Sequence, residues 1–212
     1  MVVAQFGISA PASVQALGYS ILLNVIVGNV YCLRSPFGGA AYWFQGNSMT
    51  NNDILRRLRF VFDFGDSQMM ALFASAGFSA SREQVSDWLK SDDKPDYKEL
   101  RDQHLAFFLN GLINKKRGKR EGEQPEAEKV LNNNIILRKL KIALDFKDEQ
   151  ILEVMELAGF PLSKHELSAF FRKPGHNNYR ECQTQVLRNF LRGLQIQLRG
   201  KSQDASENSL EP

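Results

Sequence analysis

Three residues in the second half of the chain have side chains that could act as a nucleophile, a base or a metal ligand. They are His165, His176 and Cys182. A thiolate nucleophile needs an electropositive pocket, and structural zinc needs closely spaced Cys and His ligands. The chain has no Cys-x-x-Cys and no His-Glu-x-x-His, and His104 stands alone. We therefore expect no metal, no cofactor and no catalytic residue, and an enzyme built on these three residues is the least favoured function.

Basic side chains indicate a second chemistry, which is contact with the phosphates of a nucleic acid. In each half of the chain, two predicted helices and a glycine-containing turn are similar to a helix-turn-helix, whose second helix reads the major groove. The side chains that this second helix would expose are Arg82, Gln84, Asp87 and Lys90 in one half and Lys164, His165, Ala169 and Arg172 in the other. The spacing from Gly77 to Val85 is longer than in the compact DNA-binding motif.

The basic ends of the last helix in each half are the other candidates for nucleic-acid contact. The run Lys-Lys-Arg at 115–117 is dense, but a solvated helix end explains it better, because cations there interact favourably with the helix dipole. The formal net charge of +3 is small, whereas strong nucleic-acid binders show a clear basic patch. The complete set of candidates is Arg82, Lys90, Lys115, Lys116, Arg117, Lys164, Arg172 and Arg199.

An internal duplication supplies the elements that must position these residues. Residues 52–118 and 134–200 align end to end without a gap when Gly77 is placed on Gly159, and such self-similarity indicates repeated structural units. Apolar residues recur at helical spacing, and no run in either copy alternates for long enough to form a strand. The predicted fold class is all-α, with two tandem copies of a small four-helix unit. Since one such unit has a thin core, we expect the copies to support each other.

Local signals predict the ends of the first three helices. The first helix is predicted over 53–62 and 135–144, with Asn52 and Asn134 as its N-caps. The second helix is predicted to stop at Gly77 and at Gly159, because glycine adopts a left-handed backbone without a Cβ penalty. The third is predicted to begin at a capping box, in which a serine precedes Gln or Glu by three residues.

The fourth helix of each copy is predicted to begin beside Tyr97 and Tyr179. Gly111 and Gly193 lie inside this helix, where glycine costs about 1 kcal/mol relative to alanine. A glycine at this place in both copies predicts a close approach of two backbones, with the first helix as the expected neighbour.

Phe60 and Ile142 point away from the main apolar stripe of the first helix. An aromatic ring among arginines could stack on bases, as in single-strand binders, but Ile142 cannot do so. We therefore expect both side chains to be buried on a second side, under the fourth helix or the other copy. Exposure of Phe60 would instead favour a binding surface around it.

Residues 1–48 differ from both copies because they contain one charged residue, Arg34, and are rich in small and apolar types. The stretch 16–33 is almost as long as a membrane span, which needs about 20 residues. Three interpretations stay open. The favoured one is a misassigned start, with Met49 as the true start; the others are a single membrane anchor and a disordered arm.

The remaining segments connect and end the copies. Repeat 1 is assigned to 49–118 and repeat 2 to 134–200. The charged segment 119–133 is predicted to be a linker that holds one helical turn after Pro125, and the polar segment 201–212 to be a disordered tail.

The segment 49–200 is similar to a known protein family in three motifs. They are NNDILRRLRF, the turn AGF-x-x-S-x-x-x-x-S, and FLNGLI-x-x-KRG with its partner FLRGL-x-x-x-LRG. The segment resembles the YehS-like proteins, a bacterial family of unknown function with the same length and duplication. This resemblance implies a soluble bacterial protein and brings no catalytic residue.

The function that we expect is a non-catalytic cytoplasmic binding or regulatory module, foremost a protein-interaction adaptor with an unknown protein partner. Nucleic-acid binding through the helix-turn-helix-like elements is the alternative. Cys32 and Cys182 lie far apart and form no disulfide framework, which suits a reducing compartment. We expect no membrane contact unless residues 1–48 are an anchor.

Overall fold

The computed structural model describes residues 30–33, 42–45 and 49–207 of the 212-residue chain, with side chains described for 49–200. The chain divides into two compact units, Met1–Ser48 and Met49–Pro212. No helix within the described ranges is both long and apolar enough to cross a membrane.

The first unit contains two short strands, β1 (Val30–Leu33) and β2 (Tyr42–Gln45). They pair antiparallel, with Val30 opposite Gln45. These strands were not predicted, although both are rich in the β-branched and aromatic residues that favour extended backbone. The other residues of 1–48, on which the choice between start, anchor and arm depends, lie outside the described ranges.

The second unit consists of eight helices within residues 49–207, four from each copy. Their bounds are α1 Asn51–Phe62, α2 Asp66–Ser75, α3 Arg82–Leu89, α4 Asp102–Arg117, α5 Asn133–Leu144, α6 Asp148–Leu157, α7 Lys164–Phe170 and α8 Thr184–Glu207. The predicted fold class, all-α with two tandem copies of a four-helix unit, is therefore confirmed for this unit.

The first helix of each copy begins slightly earlier than predicted, and the predicted N-caps are wrong. Thr50 caps α1 by accepting a hydrogen bond from the Asp53 N–H, and Asn132 caps α5 in the same way. Asn52 and Asn134 lie inside the first turn, where both are buried.

The two buried asparagines tie the first helix to the segment that follows the third. The Nδ2 of Asn52 donates to the carbonyls of Trp88 and Lys98, at 2.9 Å each. Its Oδ1 accepts a hydrogen bond of 2.9 Å from the Leu100 N–H. Asn134 makes the same three bonds with Phe170, Arg180 and Cys182.

These bonds also explain why the fourth helices do not begin at Tyr97 and Tyr179. α4 begins at Asp102 and α8 at Thr184. The segments between the third and fourth helices run as irregular loops, because their backbone groups are bonded to the buried asparagines. A local capping pattern was therefore overridden by tertiary hydrogen bonds.

The glycines after the second helices adopt the predicted backbone. Gly77 has a φ of 92° and Gly159 a φ of 71°. The Phe78 N–H donates to the carbonyl of Phe73 at 3.1 Å, which is the closing bond of a Schellman motif. Both predicted capping boxes of the third helices also form.

One hydrophobic core runs through both copies, and the first helix of each copy packs against the fourth helix of the other. These contacts join α1 to α8 and α4 to α5. Buried residues of both copies, among them Leu55, Phe108, Leu137 and Phe190, belong to a single cluster. The expected support between the copies is therefore confirmed.

The close backbone approach at Gly111 and Gly193 is confirmed, but its predicted partner is wrong. A Cβ on Gly111 would lie 1.9 Å from the carbonyl oxygen of Leu72 in α2. A Cβ on Gly193 would lie 1.9 Å from the carbonyl oxygen of Val154 in α6. At this glycine the fourth helix thus approaches the second helix of its own copy rather than the first.

The predicted burial of Phe60 and Ile142 is wrong, since their side chains are 51% and 47% exposed. α8 covers α1, but at Phe60 it contributes the long side chain of Arg199, whose guanidinium carbon lies 4.4 Å from the ring centre. An arginine covers one ring face and leaves the rest to solvent, so Phe60 lies at the rim of the contact between the copies.

The linker and the tail also differ from prediction. No helical turn follows Pro125, and Glu128 of the linker forms an ion pair of 2.8 Å with the buried Lys139 of α5. Residues 201–207 belong to α8, so the disordered-tail prediction is wrong for them. Residues 208–212 lie outside the described ranges.

Candidate anion-binding site

The basic residues at the ends of the fourth helices contact groups within the protein. The Lys115 ammonium lies 5.3 Å from the ring centre of Phe64, and the Lys116 ammonium 5.2 Å from that of Phe62. Arg117 forms an ion pair with Asp145.

Arg199, the counterpart of Arg117, binds the corresponding corner of the first copy. Its guanidinium donates to the Phe60 carbonyl at 2.6 and 2.9 Å and pairs with Asp63 at 2.9 Å. Asp63 and Asp145 are the left-handed C-caps of α1 and α5. The two arginines therefore form a reciprocal pair of contacts that join the copies.

The other candidates lie on the third helices. Lys90 pairs with Asp87 and Asp96, Lys164 pairs with Glu149, and Arg82 is exposed. The eight candidates thus sit at several separate places, and half of them form ion pairs. Arg172, at the end of α7, lies in a different environment.

Arg172 lines a cavity of about 350 Å³ between α7 and the loop that follows it. The wall includes His165, Glu166, Ala169 and Arg180, and the loop adds Asn177, Asn178 and Tyr179. Among the eight basic candidates, only Arg172 lines this cavity. The exposure predicted for Ala169 is wrong, because this residue of α7 is buried.

At the equivalent place in the first copy, Asp87 pairs with two lysines. Its carboxylate lies 2.8 Å from the Lys90 ammonium and 2.7 Å from the Lys98 ammonium. Hydrogen bonds from these two lysines hold the pKa of Asp87 below its usual value. One carboxylate thus satisfies two cations that reach it from the helix and from the loop.

The second copy keeps both cations and loses the carboxylate. Ala169 aligns with Asp87, Arg172 with Lys90, and Arg180 with Lys98. One backbone hydrogen bond is common to both copies, because the Arg180 N–H donates to the Ala169 carbonyl just as the Lys98 N–H donates to the Asp87 carbonyl. Neither arginine has a carboxylate oxygen within 4 Å in the part of the chain whose side chains are described.

The loop shows the same loss of negative charge. Asp92, Asp93 and Asp96 of the first copy align with Pro174, Gly175 and Asn178 of the second. All three aspartates form ion pairs in the first copy: Asp92 with Arg56, Asp93 with Lys94 and Asp96 with Lys90. Two of the four replaced aspartates, Asp87 and Asp96, have uncharged counterparts that line the cavity, Ala169 and Asn178.

Glu166 is the carboxylate among the cavity-lining residues. It accepts hydrogen bonds from the Ser163 N–H at 3.0 Å and from the Ser163 hydroxyl at 2.7 Å. These bonds, the backbone one foremost, hold the pKa of Glu166 below its usual value. Its negative charge caps α7 and also interacts with the Arg180 guanidinium, which contributes to the lowered pKa. The two arginines and this glutamate together give one net positive charge.

The three residues considered for catalysis lie in different environments. His165 lines the cavity, and the His176 Nδ1 lies 3.4 Å from Arg172 and accepts a hydrogen bond from the Asn178 N–H. Cys182 is buried in the core, and burial raises the pKa of its thiol to about 12. The described residues contain no group of three or more His, Cys, Asp or Glu side chains placed to hold a metal ion.

A second open cavity lies beside the exposed Phe60, lined by Arg56, Arg59 and Arg199 among others. Each of these arginines pairs with an aspartate: Arg56 with Asp53 and Asp92, Arg59 with Asp66, and Arg199 with Asp63. Each arginine here thus forms an ion pair with an aspartate, whereas Arg172 and Arg180 form none with the residues whose side chains are described.

Sequence reasoning found Arg172 but missed Arg180 and the importance of Ala169. The signal was present in the duplication, because aligning the copies shows cations retained and aspartates replaced at matched positions. What the alignment could not show is that Arg172 and Arg180 lie on the same cavity, which requires the loop to fold back on α7.

Comparison with known proteins supports the duplication. Residues 51–118 and 133–200 each match a family described as "Protein of unknown function (DUF1456)". The chain is 41% identical to the uncharacterized protein YehS of Escherichia coli (strain K12) over 147 residues, which cover 69% of this chain and 94% of that protein. No solved structure matches. The two family matches cover most of the chain, and the chain therefore belongs to the DUF1456 family, as a tandem YehS-like member.

Proposed function

We propose that this protein is a non-catalytic adaptor in the cytoplasm, in which the second copy binds a partner protein and the first copy supports the fold. The observation that carries the proposal is the difference between the copies at one place. In the first copy Asp87 pairs with two lysines at this place, whereas in the second copy the two corresponding arginines line an open cavity.

A protein partner accounts for the charges better than a nucleic acid does. Nucleic-acid affinity grows with the number of phosphates that cations neutralise. Here Lys90, Arg117, Lys164 and Arg199 already pair with carboxylates of the chain. A pocket with two available arginines suits a local contact with one partner, since arginines are frequent anchors of protein interfaces.

A chain without a catalytic centre also agrees with the environment of Cys182. Its thiol is buried and protonated at neutral pH, whereas a nucleophilic cysteine needs a thiolate. A buried free thiol is typical of proteins from a reducing compartment, which supports the cytoplasm as the location.

Affinity capture with matched variants tests the adaptor function. The tagged full chain, the double variant Arg172→Ala/Arg180→Ala and the control Lys90→Ala/Lys98→Ala are each incubated with bacterial lysate, once untreated and once treated with nuclease. We expect the parent and the control to retain the same partner, and the arginine variant to lose it.

Three results would contradict the proposal. If the partner is lost when nuclease is added, binding proceeds through nucleic acid, which is the alternative function. If the arginine variant retains the partner, the binding surface is not the α7 cavity. If the parent retains no protein above a tag-only control, the chain is not an adaptor.

A further inference from the structure

We infer that the α7 cavity binds an acidic segment of the partner, and that one carboxylate of this segment lies between Arg172 and Arg180. This inference rests on the proposed function and specifies its ligand. The partner would thereby supply the group that the first copy supplies from its own Asp87.

The first copy shows what the second copy lacks. Asp87 receives Lys90 from its own helix and Lys98 from the loop, at 2.8 and 2.7 Å. Because the Ala169–Arg180 and Asp87–Lys98 backbone bonds correspond, the Ala169 methyl group stands where the Asp87 side chain begins. A ligand carboxylate that enters above Ala169 therefore meets cations from the same two directions.

The cations of the second copy are also better suited to an external carboxylate. Both lysines of the first copy are arginines here, and the planar guanidinium donates two parallel hydrogen bonds to a carboxylate. The Arg172 guanidinium also lies 3.4 Å from the His176 Nδ1.

The size and charge of the cavity favour a peptide carboxylate over other anions. Its volume of about 350 Å³ lies in the range of ligand pockets and far exceeds one carboxylate, so part of a backbone also fits. The amides of Asn177 and Asn178 can donate to and accept from peptide groups. Since Glu166 offsets one of the two arginines, the single net positive charge matches a carboxylate better than a phosphate dianion.

An NMR titration of the full chain with a hexaglutamate peptide tests this inference. We expect shifts of the Arg172 and Arg180 side-chain resonances and of the loop 173–179. Ala169→Asp restores the carboxylate of the first copy, so it should weaken binding at least tenfold. The asparagine of Ala169→Asn has nearly the size of aspartate but no charge, so this variant should bind within about threefold of the parent. The difference between the two variants measures the effect of the added charge on affinity. A tenfold change in affinity corresponds to about 1.4 kcal/mol.

A second variant, a control variant and two comparison ligands complete the test. Arg180→Gln changes an exposed side chain and should also weaken binding at least tenfold, which covers the case that Ala169→Asp does not fold. The control Lys98→Gln in the first copy should bind like the parent. A phosphoserine peptide and a single-stranded oligonucleotide, each matched in length, complete the series.

The inference is overturned if hexaglutamate produces no shifts at Arg172 and Arg180. It is also overturned if Ala169→Asn weakens binding as much as Ala169→Asp, or if the phosphoserine peptide or the oligonucleotide binds more tightly than hexaglutamate. If the lysate partner is still captured through the two arginines in that case, the adaptor function stands and only its ligand is wrong. If no partner is captured while hexaglutamate binds, the carboxylate site stands and the adaptor function is wrong.

Discussion

Replacing Gly111 with alanine tests how α2 and α4 pack. The new Cβ would lie 1.9 Å from the carbonyl oxygen of Leu72 and 2.6 Å from its carbonyl carbon, whereas real Cβ atoms do not approach other atoms below 3.0 Å. The obstacle is backbone, which no side-chain rotation can move. The two helices must therefore separate by roughly 1 Å, and the packing along their contact must loosen.

The expected loss of stability follows from two opposing terms. Overpacking a core typically costs about 1 to 3 kcal/mol, occasionally more, and a clash with backbone belongs at the upper end. Alanine recovers about 1 kcal/mol through its higher helix propensity. We therefore expect Gly111→Ala to lower the free energy of unfolding by about 2 kcal/mol, and Gly193→Ala to have a similar effect because it meets the Val154 carbonyl.

Urea denaturation followed by circular dichroism measures the change. With an m value of about 2 kcal/mol/M, the midpoint should fall by about 1 M while the slope stays constant. Gly200→Ala is the matched control, because Gly200 lies in α8 with nothing within 4 Å of its Cβ position, so this variant should equal or exceed the parent in stability. If Gly111→Ala is as stable as Gly200→Ala, the close approach of α2 and α4 is wrong.

Three further predictions concern single side chains. Gly77→Ala and Gly159→Ala should each lower the free energy of unfolding by about 1 kcal/mol or somewhat more, because alanine is strained at their positive φ; unchanged denaturation midpoints would contradict the Schellman assignment. Phe60→Ala and Ile142→Ala should each cost about 1 kcal/mol, because these side chains are half exposed, and losses in the range of roughly 2 to 5 kcal/mol for core truncations would show that they are buried in solution. The folded thiol of Cys182 has a pKa raised to about 12 from an ordinary value of 9.0, so its stabilising contribution is complete below pH 9 and is lost as the pH rises towards 12. The urea midpoint should therefore fall more between pH 8 and pH 10.5 for the parent than for Cys182→Ala. Equal falls would show that folding does not raise the pKa of the thiol.

Much of the fold was predictable because its signals are local. The glycine at position 77 and the capping box at Ser81 act through hydrogen bonds between residues a few positions apart. The duplication doubled each signal, since Gly159 and Ser163 repeat them with different neighbours. Helix ends of this kind need no knowledge of the rest of the chain.

The errors occurred where a distant residue decides the outcome. Asn52 has the chemistry of an N-cap, but its side chain bonds to residues 36 to 48 positions away, and this also delays the start of α4. The exposure of Phe60 depends on α8, which meets it with Arg199 from 139 positions away. Periodicity could show that Phe60 lies off the main stripe, but not what covers it.

The candidate site shows the same division. The sequence by itself determined which charges each copy carries, including the retained arginines and the replaced aspartates at matched positions. Only the tertiary structure decided that Arg172 and Arg180 line one cavity above Ala169. The reason is that the loop between α7 and α8 is folded back by its bonds to the buried Asn134, and electrostatic interaction between two side chains depends on their distance in space rather than along the chain.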